Sequence, residues 1–130
     1  MSQTTVQGNL AADVEITFTN KTGRAKARFR IIEDQGYFDR KTREWVETRS
    51  NTFFVEAWGR LAENIAESFR EGDPVIALLE AKTSEWTDTN TGEKRLRSYH
   101  LAKSVGFDVE RHTVTAVKNP PRQETNPAQH

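Results

Sequence analysis

The sequence predicts an all-β fold with a single α-helix, and three observations support that prediction. Segments in which apolar and polar residues alternate fill most of the chain, and a period of two is typical of β-strands. Runs of Asn, Asp, Thr and Gly separate several of these segments, as expected for hairpin turns. Only residues 61–69 repeat their apolar residues at helical spacing.

Five segments alternate clearly enough to be predicted as strands. In chain order they are residues 6–18 with a bend at 11–13, then 24–33, 52–58, 75–86 and 96–105. The polar run 34–50 is predicted to be a long hairpin loop. Tight hairpin tips are predicted at 20–23 and 88–92, the first because Gly23 tolerates a positive φ. An extension of the last strand to Phe107 and Val109 is left open.

The helix signals lie between the third and fourth predicted strands. Leu61, Ile65 and Phe69 recur at the spacing of one helix face. Gly72 is expected to cap the C-terminus of this helix, and Pro74 to block its extension.

This order of elements predicts a particular architecture. Five short strands with one helix between the third and fourth is the order of the OB-fold, a five-stranded and partly open barrel. From about Lys118 the chain is polar and rich in Pro, which is typical of disorder. We therefore expect an OB-fold domain over residues 1–111 and a flexible, disordered tail over residues 112–130.

The composition excludes several classes of function. The chain of 130 residues has no cysteine, which excludes disulfides, thiolate zinc sites and a cysteine nucleophile, and fits a cytoplasmic protein. Its three histidines have no metal-ligand spacing, and no P-loop or other catalytic motif is present. No run of about 18 apolar residues exists to span a membrane. We expect a protein that is not an enzyme and uses no metal or cofactor.

Charge is distributed unevenly along a chain of zero net charge. Residues 21–30 hold five Lys or Arg and no acid, and residues 94–103 hold four and no acid. Between Arg24 and Ile31 each cation alternates with a small or apolar residue, so a strand here has one basic face and one core face. Such a face suits a polyanion, and nucleic acid is the common one. A solvated strand face is the alternative.

Large rings lie next to charges in two of the predicted strands. Phe54 and Trp58 share one face of the third strand with Glu56. The other face of that strand is predicted to belong to the core. Trp86 ends the fourth strand on the same face as Lys82. Exposed rings on a barrel are stacking platforms for bases. The alternative for Phe54 and Trp58 is packing under a loop or in a subunit interface.

A second group of rings lies in the predicted 34–50 loop. Tyr37, Phe38 and Trp45 stand among several Lys and Arg residues there. A loop with rings and cations suits closure over a single strand of nucleic acid. The alternative for Trp45 is that it pins one arm of a hairpin.

Several segments together resemble the bacterial single-stranded DNA-binding protein family. Residues 6–15 resemble its opening strand, with Val14 where Pro is usual. The other matching segments are 25–29, the strand-to-helix junction 58–64, and the start and end of the fourth strand at 72–76 and 82–86. The likeness covers roughly residues 5–109, and it lies in the order and spacing of the segments.

The resemblance implies sequence-independent binding and protection of single-stranded DNA in replication, recombination or repair. It implies a homotetramer in the cytoplasm, associated with the nucleoid. Trp58 and Trp86 match two stacking positions of the family, and Tyr37 or Phe38 matches a third. At a further position the family has a Trp where this chain has Thr52. Phe54, on the same face, is the candidate substitute for that Trp. The DNA-binding candidates are Trp58, Trp86, Phe54, Tyr37, Phe38, Trp45, Arg24, Lys26, Arg28, Arg30, Lys82, Arg95 and Arg97.

The C-terminal residues depart from the family pattern. Family members commonly end in an acidic tip that recruits repair and replication enzymes, whereas Glu124 is the only acid after Glu110 here. We therefore expect no recruitment through such a tip, and either a truncated chain or a short paralogue. Two rival functions stay open. One is an oligomeric OB-fold interaction module with its rings in an interface, and the other is an RNA-binding or phage-type accessory protein.

Overall fold

The computed structural model describes residues 2–121 and contains, within that range, six strands and one helix. In chain order these are β1 (Gln3–Leu10), β2 (Glu15–Phe18), β3 (Ala25–Asp39), β4 (Glu44–Trp58), α1 (Gly59–Ser68), β5 (Pro74–Thr87) and β6 (Lys94–Phe107). The predicted all-β fold with a helix before its last two strands is confirmed. The last strand takes in Phe107 and ends before Val109.

The strands form one sheet that closes into a barrel. Its order is β1-β5-β6-β4-β3-β2, and a short additional pairing joins β1 to β3 through Asn9↔Ile32 and Leu10↔Ile31. All pairs are antiparallel except β4–β6, which are parallel at Val55↔His100 and Glu56↔Leu101. This is the partly open barrel that the order of elements predicts.

The first predicted strand divides into two because it changes partner. β1 pairs mainly with β5, whereas β2 pairs only with β3. At the bend, the Leu10 amide donates to Asp73 O and the Ala11 amide donates to Arg30 O, so the backbone there is already bonded outside the β1 and β2 ladders. The expected bend at 11–13 is thus a break between two strands.

The core lies inside the barrel and under α1. Alternate residues of β3, β4 and β5 point inward and are buried, and α1 covers one end of the barrel with Ala62 and Ile65. Phe69 follows the helix and stacks on Phe107, with 4.5 Å between ring centroids. The helix ends at Ser68 with Phe69 as its extended cap, so the expected cap at Gly72 is wrong. Gly72, at φ 86°, instead lies in the turn that leads into β5.

The expected loop at 34–50 is also wrong, because most of it is paired strand. β3 and β4 pair from Lys26↔Trp58 to Asp39↔Glu44, which leaves only residues 40–43 as the turn. This hairpin extends beyond the barrel and therefore has little apolar periodicity to reveal it. Its backbone groups are nonetheless satisfied by the cross-strand ladder.

Residues 108–121 follow β6 without helix or strand. The segment contacts α1, where Asn64 Nδ2 donates to Asn119 Oδ1 at 2.7 Å. Residues 122–130 of the expected tail lie outside the described residues. In the described part of the chain, no helix is long and apolar enough to cross a membrane.

Candidate nucleic-acid interface

The outer face of the sheet, meaning the side turned away from the core, joins the basic stretch of β3 to the rings of β4. Residues directly opposite each other in an antiparallel pair share a face. Because Ala25, Ala27, Phe29 and Ile31 point into the core, the cations between them point outward. The resulting cross-strand pairs are Lys26↔Trp58, Arg28↔Glu56 and Arg30↔Phe54.

Glu56 lies at the centre of the cations on this face. It is only 4% exposed, and its Oε2 accepts a hydrogen bond from Arg97 Nη2 at 2.8 Å. Its Oε1 is 3.5 Å from Lys26 Nζ, and its Oε2 is 3.9 Å from Arg28 Nε. A buried carboxylate is tolerated when it is paired in this way. Glu56 therefore offsets one positive charge in the middle of the basic face.

Trp58 is half-buried and lies beneath two cations. The guanidinium carbon of Arg24 and the ammonium of Lys26 each lie 5.1 Å from the centre of its ring. At this distance the ring quadrupole attracts a cation. Trp58 therefore packs against two cations of the outer face and still presents part of its ring outward.

β6 continues the outer face on the other side of β4. The guanidinium carbon of Arg97 lies 4.6 Å from the centre of the Tyr99 ring. Arg97, whose side chain is 38% exposed, thus contacts Glu56 on one strand and Tyr99 on its own. Arg95, further along β6, has Asp88 Oδ2 at 3.4 Å and Glu93 Oε2 at 3.7 Å from its Nη2.

β5 completes the face with a second buried carboxylate. Lys82 Nζ lies 2.6 Å from Oε1 of Glu80, which is 2% exposed. The hydrogen bond from Lys82 lowers the pKa of Glu80, although burial opposes the shift, and the same bond raises the pKa of Lys82. Lys82 is thereby held charged and in place. Trp86, paired with Arg95 in the next strand, is 48% exposed.

A groove of about 330 Å³ runs along this face. Phe54 and Tyr99 contribute rings to its wall, and Arg28, Arg30 and Arg97 contribute guanidinium groups. The carboxylates of Asp13, Glu15 and Glu56 also line it. We call this feature the outer groove; it places rings, donors and acceptors around one space.

The rings of the β3–β4 hairpin do not form a single group. Gln35 pairs with Arg49 and Gly36 with Glu47, so Thr48 is an extra backbone residue in β4. Such a bulge moves the β4 residues between Thr48 and the hairpin turn, residues 44–47, to the opposite face. Phe38 and Trp45, which pair directly, therefore continue the outer face, whereas Tyr37 pairs with Val46 on the reverse side.

Trp45 packs closely over the backbone of Gly36. A Cβ on Gly36 would lie 2.4 Å from Val46 O and 3.0 Å from two atoms of the Trp45 ring. Only glycine admits the ring and the partner strand at this distance. Trp45 thus lies against a hairpin arm and is still more than half exposed.

The structure brings together most of the candidate residues, and it adds two that sequence reasoning did not propose. Tyr37 lies apart on the reverse side of the hairpin. The additional residues are Glu56 and Tyr99. The signal for Tyr99 was its position two residues after Arg97 on a strand, and the signal for Glu56 was its position between Phe54 and Trp58 on one face.

A larger cavity, of about 420 Å³, contains none of the candidates. It lies where β1 meets the segment after β6, and Asp108 is in its wall. Gln7 Nε2 donates to Asp108 Oδ2 at 2.6 Å, and this hydrogen bond lowers the pKa of Asp108.

Comparison with known proteins finds a family match over most of the chain. The model of the single-strand binding protein family matches residues 1–108. Over 91 residues, the chain is 40% identical to a single-stranded DNA-binding protein of Corynebacterium glutamicum, covering 70% of this chain and 40% of that protein. It is equally similar, at 40% over 91 residues, to single-stranded DNA-binding protein 2 of Streptomyces coelicolor, covering 70% of this chain and 45% of that protein.

A solved structure shares the fold. The crystal structure of a small single-stranded DNA-binding protein from Streptomyces coelicolor matches with a TM-score of 0.68 and 25% sequence identity. The match covers 85% of this chain and 96% of that one. The predicted OB-fold is therefore confirmed, while each of the two curated relatives is matched over less than half of its length.

Proposed function

Because this chain belongs to the single-strand binding protein family, we propose that it binds single-stranded DNA with little sequence preference and protects it in replication, recombination or repair. The observation that supports this most strongly is the outer face itself. It joins the cations of β3 and β6 to the rings of β4 and β5 on one continuous surface. Stacking rings in a positive groove are the general means of binding a single strand.

Base stacking is assigned to the most exposed rings of the outer face. Phe54 is 57% exposed, and Trp86, Phe38 and Trp45 are about equally accessible. Trp58 contributes with the part of its ring that is not buried. Stacking contributes about 1–3 kcal/mol per base and tolerates any base, since each has a π-face.

Phosphate contacts are assigned first to the cations that are not neutralised by an acid. Among the described residues, Arg24 and Arg30 have no ion pair, whereas Lys26, Arg28 and Arg97 share Glu56. Lys82 and Arg95 are held by acids on their own hairpin. Arg24 and Arg30 therefore release the most counterions when a phosphate binds.

The same proposal includes a homotetramer that works in the cytoplasm on the nucleoid. Along residues 3–8, β1 pairs with β5 and has no second partner strand in the described chain. Beside it, Ile76 and Leu78 are exposed on the outer side of β5. An open edge next to apolar side chains favours association between copies. Residues 1–111 are proposed as the binding domain and 112–130 as its tail.

Titration of intrinsic tryptophan fluorescence with oligo-dT tests the proposal. Stacking on Trp86 and Trp58 predicts quenching that saturates, and competition with oligo-rU separates DNA binding from RNA binding. Unchanged fluorescence together with an oligomeric mass would instead support an interaction module with its rings in an interface. Sedimentation of the free protein measures that mass.

A further inference from the structure

Arg97 is held in one position by two neighbours that serve different purposes. Its Nη2 lies 2.8 Å from Oε2 of Glu56, and its guanidinium carbon lies 4.6 Å from the centre of the Tyr99 ring. An ion pair fixes the direction of the side chain, and a ring beneath the guanidinium supports its plane. Arg97 is therefore positioned before any strand binds.

The ion pair makes Arg97 a poor choice for a phosphate. Glu56 is 4% exposed, and Arg97 is its nearest cation at 2.8 Å, whereas Lys26 and Arg28 lie 3.5 and 3.9 Å away, so loss of Arg97 would weaken the pairing of a buried charge. A phosphate bound to Arg97 would compete with the Glu56 carboxylate for the same guanidinium group. Arg30, two strands away and without an acid partner among the described residues, offers a phosphate an undivided charge.

The same constraints leave Arg97 suited to stacking. A guanidinium is planar and weakly hydrated, and it stacks on aromatic faces. One aromatic neighbour, Tyr99, is already in place, and the Arg97 side chain remains 38% exposed. Across the outer groove lies the ring of Phe54, which is 57% exposed.

We propose that Arg97, supported by Tyr99 and held by Glu56, is a stacking platform for a nucleobase, and that the outer groove between Arg97 and Phe54 receives that base. This inference rests on the proposed binding of single-stranded DNA. It changes the role of Arg97 from a phosphate contact to a base contact. Tyr99 and Glu56 then act as positioning residues, since they act through Arg97.

Charge-conserving substitutions separate the two roles. Arg97→Lys keeps the charge opposite Glu56 and removes the plane, and Arg30→Lys makes the same change at a residue assigned to phosphate. Each variant is titrated with a thymidine oligomer and with an abasic oligomer of equal length. We expect Arg97→Lys to weaken binding to the thymidine oligomer about tenfold and binding to the abasic oligomer less than about twofold. Arg30→Lys is expected to change binding to both oligomers by the same factor, because a phosphate contact does not depend on the base.

A second pair of variants keeps the test independent of Arg97. Tyr99→Leu removes the supporting ring and should lose affinity for the thymidine oligomer alone, whereas Tyr99→Phe retains the ring and should lose less of that affinity than Tyr99→Leu does. Equal losses on both oligomers would identify Arg97 as a phosphate contact and overturn the inference, as would no loss on either. A wild-type protein that bound neither oligomer would refute the proposed function itself, which is a different result.

Discussion

The guanidinium of Arg97 on β6 donates a hydrogen bond to the carboxylate of Glu56 on β4, with 2.8 Å between Nη2 and Oε2. These two strands meet only in a short parallel pairing, at Val55↔His100 and Glu56↔Leu101. The side-chain contact therefore reinforces a part of the barrel where the backbone ladder is brief. It also fixes a negative charge within the proposed DNA surface.

The first prediction concerns that charge. Glu56→Gln keeps an oxygen that accepts from Arg97 and removes the anion that competes with phosphate for Lys26 and Arg28. We expect tighter binding of oligo-dT at low salt and a salt dependence steeper by about 0.7 in log–log slope, the value of one extra phosphate contact. Glu63→Gln on the exposed side of α1 removes the same charge at a distance and should change neither quantity. Weaker binding by Glu56→Gln, with an unchanged melting temperature, would contradict the prediction.

The second prediction concerns Trp86 at the end of β5. Its ring is 48% exposed, so Trp86→Ala should leave the melting temperature unchanged and reduce the binding free energy by about 1–3 kcal/mol. The matched control is Leu96→Ala, because Leu96 lies on the opposite face of the same hairpin and is 68% exposed. Titration with oligo-dT measures both. If Trp86→Ala and Leu96→Ala reduce the binding free energy equally, then Trp86 is not part of the DNA-binding surface.

The third prediction concerns Arg24 and Arg30. Replacing both with Gln should reduce the log–log salt slope of oligo-dT binding by about 1.4, at ~0.7 per phosphate on a single strand. The control replaces Arg60 on α1 and Lys118 in the segment after β6, which are not among the residues assigned to the outer face, and alters net charge equally. If the control lowers the slope as much as the test variant, then net charge rather than this face determines binding.

The fourth prediction concerns the close approach of Trp45 to Gly36. A methyl group on Gly36 would lie 2.4 Å from Val46 O, so Gly36→Ala must shift the hairpin arms and displace the Trp45 ring. We expect weaker oligo-dT binding with an unchanged salt slope, because only a stacking contact is altered. Gly106→Ala is the control, since no atom lies within 4 Å of the added Cβ. A variant of Gly36 that binds normally would show that Trp45 does not contact DNA.

The fifth prediction concerns the pH dependence of stability at Glu80. The hydrogen bond from Lys82 lowers the pKa of Glu80 below its ordinary value of 4.5. A lowered pKa in the folded state contributes stability above the unfolded pKa, and that stability is lost as pH falls through the folded pKa. The wild type should therefore melt at a higher temperature than Lys82→Gln at pH 7, with the difference shrinking below about pH 4 as Glu80 is protonated. A difference that stays constant between pH 7 and pH 3 would exclude this pairing as its source.

Much of the architecture was predictable because it follows from the local periodicity of apolar and polar residues. The alternation between Arg24 and Ile31 predicts a basic face opposite a core face, and Ala25, Ala27, Phe29 and Ile31 are indeed buried. The helical spacing of Leu61, Ile65 and Phe69 likewise located α1, although its last turn ends before Phe69. In each case a few neighbouring residues contain the whole signal.

The β3–β4 hairpin shows where such a signal fails. Residues 34–50 are mostly polar because the hairpin extends beyond the barrel, and their few apolar residues form no alternating pattern that would reveal the pairing. The bulge near Gly36 then decides the face on which Trp45 lies. A one-residue change of register reverses every following side chain, and only the pairing of the two strands determines it.

The sequence by itself determined which residues alternate, where the helix lies and which cations and rings are available, because these depend on backbone periodicity over a few residues. The tertiary structure alone decided that Glu56 meets Arg97, 41 positions away, and that Arg97 lies over Tyr99 beside Phe54. Contacts of this kind depend on strand order, register and barrel closure. Those are set by packing of the whole core, for which no single segment contains a signal.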